Sequence, residues 1–211
     1  MRIAVIGTGA AGRTLAGALA SRHDVVVGTR SPEATAERED WQGVELVLVP
    51  LEEAAAGADL VVNLTNGNAS VEALGQVGPS LDGLVVLDVA NPLDFSQGFP
   101  PSLSVGNTDS LAEQIQRAFP RARVVKSLNT VTASVMLDPL PGTTMFVAGD
   151  DADARTLVKD LLAEFGWEDV IEFPSLDAAR GLEAWLPLWV RLYGTLGTGR
   201  FNLAVVRETS A

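Results

Sequence analysis

The sequence predicts an α/β protein with a doubly wound, mostly parallel sheet, and two observations indicate this class. Short runs rich in β-branched residues alternate with stretches rich in Ala and Leu along most of the chain, as in helices packed on a parallel sheet. Several of these runs are apolar on both faces, which is typical of buried parallel strands. The length of 211 residues suffices for one sizeable core.

Eight segments carry the strand pattern, and helical spacing of apolar residues appears between them. The predicted strands are Arg2–Ile6, Asp24–Val27, Val44–Val49, Leu60–Leu64, Leu84–Asp88, Arg123–Lys126, Thr144–Ala148 and Asp169–Phe173. Two helices are predicted over Ala10–Ala20 and Asp151–Phe165. The second begins at aspartates suited to capping and stops at Gly166, a typical helix end.

The last part of the chain has a different pattern. From Ser175 to about Leu196 an apolar stripe predicts one helix, kinked at Pro187 because proline removes a backbone donor. A strand-like tail follows over Phe201–Val206. We therefore expect an α/β domain over 1–174 and, over 175–211, a C-terminal helical annex with its tail packed on the same core.

Three aromatic residues lie on one face of the predicted C-terminal helix: Trp185, Trp189 and Tyr193. Apolar stripes at helical spacing are usually part of a core, so core packing is the default interpretation. The alternatives are that these residues cover a bound ring or form the seam of a dimer.

A glycine-rich turn, GTGAAG over residues 7–12, follows the first strand and opens the first helix. In this context Gly7 forms a tight turn, Gly9 allows a pyrophosphate to approach the backbone, and Gly12 allows close strand–helix packing. The N–H groups around Thr8, Ala10 and Ala11 and the helix dipole then stabilise the diphosphate. The motif predicts a Rossmann-type NAD(P)-binding domain; a purely structural turn is the alternative.

The end of the second strand indicates which dinucleotide binds. NAD sites usually carry Asp or Glu there, whereas this chain has Thr29, Arg30 and Ser31. A charge-assisted hydrogen bond contributes about 1.5–3 kcal/mol, so Arg30 alone would favour NADPH over NADH roughly ten- to hundredfold. The alternatives are that Arg30 is a solvated surface residue and that Ser31, before Pro32, only caps a helix.

Polar turns rich in Asn and Thr follow three further strands. Ligands of doubly wound sheets bind beyond the carboxyl ends of the strands, so these turns are expected to border the nicotinamide and a second substrate. Each turn also fits a hairpin-like turn or a helix cap. The candidate residues are Leu64, Thr65, Asn66, Ala90, Asn91, Ser127, Asn129, Thr130 and Val131.

The predicted pocket turns carry no recognisable acid–base set. Asp88 is a candidate acid or base, although a buried strand-end carboxylate that caps a loop fits its position better. Reduction of a carbonyl generally needs a proton donor. Hydride exchange between a nicotinamide and a flavin-type ring needs mainly alignment and shielding from water, so we expect no catalytic side chain.

Composition excludes several classes of function. The chain has no cysteine, which excludes disulfides, thiol catalysis and iron–sulfur ligation. Its one histidine, His23, argues against a zinc site or a His-based proton relay, and we expect no metal. The formal charge of −12 argues against nucleic acid or an anionic membrane as a partner. Apolar runs are too short to span a bilayer. We expect a cytoplasmic protein that acts on a small-molecule redox substrate.

These motifs together resemble those of the NADP oxidoreductases that depend on the deazaflavin coenzyme F-420 (F420). That family also includes the cytosolic reductase domain of the membrane ferric reductases, which works on a flavin. The resemblance extends over nearly the whole chain: the Gly-Thr-Gly turn, the Thr29-Arg30 pair, the segment 126–131 (KSLNTV) and the run 179–183 (ARGLE). It implies that Thr8 to Ala11 bind the pyrophosphate, that Thr29 and Arg30 bind the 2′-phosphate, and that Asn129 to Val131 border the stacked rings.

The resemblance further implies reversible hydride transfer between NADP(H) and the deazaflavin or a flavin, usually in a homodimer or larger oligomer. Two positions depart from the archaeal-type members. Ile6 stands where they tend to have another glycine, and Ser31-Pro32 where they often have a further basic residue, which weakens discrimination for NADP. The residues leave two other functions open: an NADPH-dependent reductase of a small carbonyl or imine, and a non-catalytic NADP(H) sensor.

Overall fold

The computed structural model describes residues 1–208, and within that range the chain forms ten strands and nine α-helices. The strands are β1 (Arg2–Ile6), β2 (Asp24–Thr29), β3 (Val47–Pro50), β4 (Leu60–Asn63), β5 (Val85–Asp88), β6 (Leu93–Asp94), β7 (Ser102–Leu103), β8 (Arg123–Ser127), β9 (Thr144–Gly149) and β10 (Asp169–Phe173). The helices are α1 (Ala10–Ala20), α2 (Pro32–Ala36), α3 (Leu51–Ala54), α4 (Ser70–Val77), α5 (Leu111–Ala118), α6 (Ala133–Leu137), α7 (Ala152–Glu164), α8 (Ala179–Ala184) and α9 (Leu186–Leu196).

Eight strands form one sheet in the order β10-β9-β8-β5-β4-β1-β2-β3. All neighbouring pairs are parallel except β8 and β9, which are antiparallel. This confirms the predicted mostly parallel α/β class. The chain leaves β1 towards β2 and β3 and then returns to β4 on the other side of β1, so a crevice opens beyond the carboxyl ends of β1 and β4.

The core has one apolar layer on each face of the sheet. Ile3 and Val5 of β1 belong to one buried cluster, whereas Ala4 and Ile6 belong to the other. Successive side chains of a strand point to opposite faces, so a strand between two helical layers is apolar at every position. This arrangement explains the uninterrupted apolar runs of the sequence.

Most predicted strands are confirmed to within two residues, with differences at the ends. Strand β3 begins at Val47, three residues after the predicted start. The predicted C-terminal helix is divided into α8 and α9, which meet at Trp185. Pro187 lies in the first turn of α9, where a backbone N–H would have no acceptor within the helix, so proline is tolerated there. The hairpin of β6 and β7 was not predicted, because strands of two residues show no periodic pattern.

The predicted strand over Phe201–Val206 is wrong. Strand β8 pairs with β9 only at residues 147–149, and the tail is hydrogen-bonded to the start of β9 at Thr144 alone, which is too few backbone hydrogen bonds for a ladder. The N–H of Thr144 donates to Leu203 O (2.9 Å), and its hydroxyl accepts from Val205 N (3.0 Å).

The division into an NAD(P)-binding domain over 1–174 and an annex over 175–211 stays a prediction, and residues 209–211 of the annex lie outside the described residues. Leu176 and Ala179 of the annex are buried in the core layer that contains Ala4 and Ile6. Among the described residues no helix combines the length and apolarity that crossing a membrane requires.

Candidate functional site

The glycine-rich turn after β1 is built by backbone contacts that only glycine allows. Gly7 has a φ of +132°, and a Cβ there would lie 2.4 Å from the carbonyl oxygen of Leu64. A Cβ on Gly12 would lie 2.2 Å from the carbonyl oxygen of Gly7. Around Gly9 the space is open, and a Cβ added there would have no heavy atom within 4 Å. The turn therefore packs tightly at Gly7 and Gly12 and leaves its outer side free at Gly9.

Helix α1 begins at this turn without a side-chain cap. Gly9 is the N-cap residue, and no side chain accepts from the first-turn N–H groups. Such N–H groups, together with the helix dipole, form a site that favours an anion. The open side of Gly9 and the uncapped helix end fit a pyrophosphate.

One cleft, which we call the first cleft, extends from this turn along the carboxyl end of β2 and encloses about 300 Å³. Arg30 lies in its wall, is exposed, and forms no hydrogen bond or ion pair with another described residue. Thr29 also lines the cleft, and its buried hydroxyl is bonded to that of Thr35 at 2.8 Å. The lining residues are Ile6, Gly7, Thr8, Gly9, Gly28, Thr29, Arg30, Leu51, Leu64, Thr65, Asn66, Ala69, Glu72, Ala73 and Gln76.

A second cleft of about 490 Å³ lies on the other side of the loop after β4. The two clefts share Leu64, Thr65 and Asn66, so this loop forms a common wall between them. The lining residues of the second cleft are Ala10, Ala11, Thr14, Leu64, Thr65, Asn66, Gly67, Val89, Ala90, Asn91, Leu93, Phe95, Asn129, Val131, Thr132, Ala133 and Met136. None of these side chains carries a charge at neutral pH.

Most of the predicted site residues come together in these two clefts, but four lie in neither lining. Gly12 lies under the glycine-rich turn, and Ser31 is the N-cap of α2, where its hydroxyl accepts from Ala34 N at 3.4 Å. Ser127 is fully buried and donates to Phe146 O at 2.7 Å. Thr130 is also buried. The Ser127 hydroxyl therefore links β8 to β9 and does not face either cleft.

Asn91 and Asn129 tie the loops after β5 and β8 together. The side-chain amide of Asn91 donates to Asn129 O at 2.9 Å, and that of Asn129 donates to Asn91 Oδ1 at 2.9 Å. The Asn129 amide also donates to Leu182 O in α8 at 3.1 Å. These bonds fix one side of the second cleft and connect it to the C-terminal helices.

A buried ionic cluster lies beneath these loops. The ammonium group of Lys126 is 2.7 Å from Asp88 Oδ2 and 2.9 Å from Glu183 Oε1, and all three side chains are almost completely buried. Burial lowers the pKa of Lys126, but the two carboxylates outweigh burial and raise it. Burial raises the pKa of Glu183. Lys126 therefore stays charged, and the cluster holds β5, β8 and α8 together.

Asp88 faces this cluster and not the clefts. Its Oδ1 accepts from the Asn63 amide (2.8 Å) and from Ala90 N (3.2 Å), while Oδ2 accepts from Lys126. The side chain has no exposed surface. Asp88 thus caps the loop after β5 and has no path to a substrate in the second cleft.

Phe95 and Gly67 are two of the eight lining residues of the second cleft that were not predicted from the sequence. Phe95, in the hairpin of β6 and β7, lines the cleft and is 55% exposed. Gly67 packs against the loop after β5, where a Cβ would lie 2.1 Å from Asn91 O. The position of Phe95 shortly after the Asn91-Pro92 turn could have indicated that it lines the cleft. The close approach at Gly67 depends on a tertiary contact that the sequence does not show.

The aromatic residues of the C-terminal helices lie outside both linings. Trp189 stacks on Tyr193 (centroids 5.6 Å apart) and on Phe201 (5.1 Å). Tyr193 is 46% exposed, so the cluster is not purely core. No group of three or more potential metal ligands was found among the described residues.

Comparison with known proteins points to one family. Residues 2–92 match the family model described as NADP oxidoreductase, coenzyme F420-dependent. An F420-dependent NADP reductase of Methanocaldococcus jannaschii is 28% identical over 94% of this chain and 96% of its own length.

Solved structures agree in fold. A protein from Arthrobacter sp. FB24, assigned provisionally as an F420-dependent NADP reductase, is 48% identical, superposes with a TM-score of 0.94, and is matched over 98% of this chain and all of that chain. A reductive aminase from Aspergillus terreus shares the fold, with a TM-score of 0.62 and 22% identity over 93% of this chain and 62% of its own.

Proposed function

Because the chain belongs to the family of coenzyme F420-dependent NADP oxidoreductases, we propose that it transfers a hydride between NADPH in the first cleft and a deazaflavin or flavin ring in the second. Membership of the family makes the chain an NADP-dependent oxidoreductase. The identity of the acceptor is the proposal.

The common wall of the two clefts carries this proposal. Leu64, Thr65 and Asn66 line both clefts, so a dinucleotide that runs from the first cleft past the α1 N-terminus brings its far end into the second. A ring placed there by Ala10 and Ala11 would face the lining formed by Asn129 and Val131. Alignment of this kind is the main contribution that a protein makes to hydride exchange between two rings.

The residues that would hold NADPH are those with open polar groups. The N–H groups at the start of α1 and the open side of Gly9 fit the pyrophosphate, and Arg30 fits the 2′-phosphate. Bound NADPH supplies the hydride, and the ring in the second cleft accepts it. The apolar lining, which includes Val89, Leu93 and Met136, excludes water from the space between the rings.

The chemistry of the second cleft favours a flavin-type acceptor over a small carbonyl or imine. The reduction of a carbonyl needs a proton donor near the developing alkoxide. Asp88, the candidate for that role, is buried and bonded to Lys126, Asn63 and Ala90. No ionisable side chain lines the second cleft among the described residues, which suits an acceptor that needs only a hydride and a solvent proton.

We also propose a homodimer that forms through the C-terminal helices. Three large apolar side chains of α9 are about half exposed: Leu188 (50%), Tyr193 (46%) and Leu196 (54%). The nearby tail exposes Val205 (40%) and Val206 (94%). Exposed apolar residues on one element are typical of an interaction surface. Sedimentation of wild-type protein and of Leu196→Asp tests this: a monomeric wild type would contradict the proposal.

The acceptor is tested by mixing the purified protein, without oxygen, with NADPH and oxidised coenzyme F420, then FMN, then a small cyclic imine. We expect loss of the F420 or flavin absorbance, and the reverse reaction with reduced acceptor and NADP⁺. Turnover of the imine alone would contradict the proposal. Tight NADPH binding with no turnover of any acceptor at stoichiometric enzyme would instead favour a sensor.

A further inference from the structure

The polar residue of the glycine-rich turn, Thr8, is held at two atoms by one segment that follows α2. Arg38 Nη1 donates to Thr8 Oγ1 at 2.9 Å. Trp41 Nε1 donates to Thr8 O at 3.1 Å, and the Trp41 side chain is buried. Thr8 lines the first cleft, so residues 38–41 fix the orientation of a group that faces the cleft.

Arg38 is itself held in a defined geometry. Its Nε and Nη2 donate to the two carboxylate oxygens of Asp40 at 3.0 and 2.7 Å, a bidentate arrangement that orients the guanidinium. Arg13 Nη1 lies 2.7 Å from the same carboxylate. The hydrogen bond from Arg38 is the main cause that lowers the pKa of Asp40, so this carboxylate stays ionised.

Arg13 and Arg38 thus place two guanidinium groups around the Asp40 carboxylate next to the glycine-rich turn. The whole chain carries −12. An anion that enters the first cleft depends on local groups of this kind, because the field of the rest of the protein repels it.

We propose that Arg38 is a positioning residue that favours NADPH over NADH by acting through Thr8. The inference rests on the use of NADPH proposed above. Since the Thr8 hydroxyl accepts a hydrogen bond from Arg38, its own hydrogen is free to be donated into the first cleft. The 2′-phosphate is the group that a donor there would discriminate.

This role would add a second basic residue to the surroundings of the 2′-phosphate. Arg30 is the one cation that its position directly after β2 assigns to the 2′-phosphate, because Ser31 and Pro32 follow it. Arg38 follows α2 and is eight residues after Arg30. It contacts the wall of the first cleft through its hydrogen bond to Thr8. No spacing in the sequence predicts the contact between Arg38 and Thr8, because the position of Arg38 depends on the 3-10 turn Glu39–Trp41.

The test is calorimetric titration of wild type, Arg38→Ala and Arg38→Gln with NADPH and with NADH. Loss of one charge-assisted donor should raise the Kd for NADPH roughly tenfold and change that for NADH less than about twofold. Arg38→Gln keeps most of the volume of the side chain and serves if Arg38→Ala folds poorly. Arg117→Ala is the matched control, because Arg117 also forms an exposed pair with an aspartate, Asp109, but lines neither cleft.

A double-mutant cycle with Thr8→Val tests whether Arg38 acts through Thr8. We expect that Arg38→Ala has less than about a twofold effect on NADPH binding once the hydroxyl is absent. Fully additive effects of the two substitutions would overturn the inference. Equal losses of affinity for NADPH and NADH would also overturn it, because they would indicate a general role in the pyrophosphate turn. If wild type shows no preference for NADPH, the proposed function fails as well; if the preference survives in Arg38→Gln, only the inference fails.

Discussion

The ammonium group of Lys126 lies 2.7 Å from the carboxylate of Asp88, and both side chains are fully buried. Because Glu183 contacts the same ammonium at 2.9 Å, one cation serves two carboxylates at the junction of β5, β8 and α8. Removal of the cation would leave uncompensated charge in the core.

Lys126→Met should therefore lower the free energy of unfolding by about 3–5 kcal/mol. The measurement is urea denaturation at neutral pH. Lys159→Met is the control, since Lys159 is the only other lysine and pairs with Glu172 at a 41% exposed position, where the loss should stay below about 1 kcal/mol. Similar losses for the two variants would contradict the role assigned to the buried cluster.

Arg30→Ala should weaken NADPH binding roughly tenfold and leave NADH binding unchanged, because the guanidinium is exposed in the first cleft without a protein partner among the described residues. The two affinities can be measured by calorimetry. Arg121→Ala, at an exposed arginine paired with Asp82, should change neither. An equal effect on both dinucleotides would show that Arg30 does not recognise the 2′-phosphate.

Two glycines of the same turn should respond differently to alanine. Gly9→Ala places a methyl group in open space, so stability should hardly change while binding of the dinucleotide is lost. Gly12→Ala forces a contact of 2.2 Å with Gly7 O and should destabilise the fold by about 1–3 kcal/mol.

Urea denaturation and NADPH titration of both variants test this contrast. Gly17→Ala, in open space within α1, is the control and should stabilise the protein by up to about 1 kcal/mol, the difference in helix propensity. Retained NADPH affinity in Gly9→Ala would mean that the pyrophosphate does not approach this turn.

Phe95→Ala should raise the KM for the deazaflavin or flavin by roughly two- to tenfold, the contribution of one aromatic stacking contact. Phe95 lines the second cleft, whereas Phe99, in the same hairpin and 69% exposed, lines neither. Steady-state kinetics should therefore show no change for Phe99→Ala and an unchanged KM for NADPH in both variants. Rescue by Phe95→Trp would support stacking; equal effects at the two positions would contradict it.

Stability should fall in acid partly through Asp109. Hydrogen bonding by Arg117 lowers the pKa of Asp109 to about 2, below its usual value of 3.8. The folded-state pKa is depressed, so the contribution of this pair is present above about pH 4 and is lost as the pH falls towards 2. Because the pair is on the surface, it should amount to less than about 1 kcal/mol. Thermal melts of wild type and Asp109→Asn should differ at pH 6 and converge near pH 2.

The sequence was sufficient for the parts of the fold that depend on local periodicity. The mostly apolar β1 and β4 and the glycine-rich turn were predicted to within a residue, because buried parallel strands and a positive φ at Gly7 impose strict residue choices. The tail over 201–206 has the composition of a strand, yet its backbone bond to β9 at Thr144 does not continue into a ladder.

The candidate site was predictable where it lies at strand ends and not where it depends on contacts between distant loops. Arg30 and Asn129 follow strands directly, so the topology brings them to one edge of the sheet. Arg38 reaches Thr8 across thirty positions, and Ser127 turns its hydroxyl towards β9. No local sequence pattern indicates the direction in which either side chain points.

The residues that line the two clefts come largely from different parts of the sequence. Every residue that lines the first cleft lies before position 77, whereas one side of the second is supplied by Asn129 to Met136. Mutations in the later codons can therefore alter the second cleft and leave the proposed pyrophosphate and 2′-phosphate contacts of the first cleft unchanged.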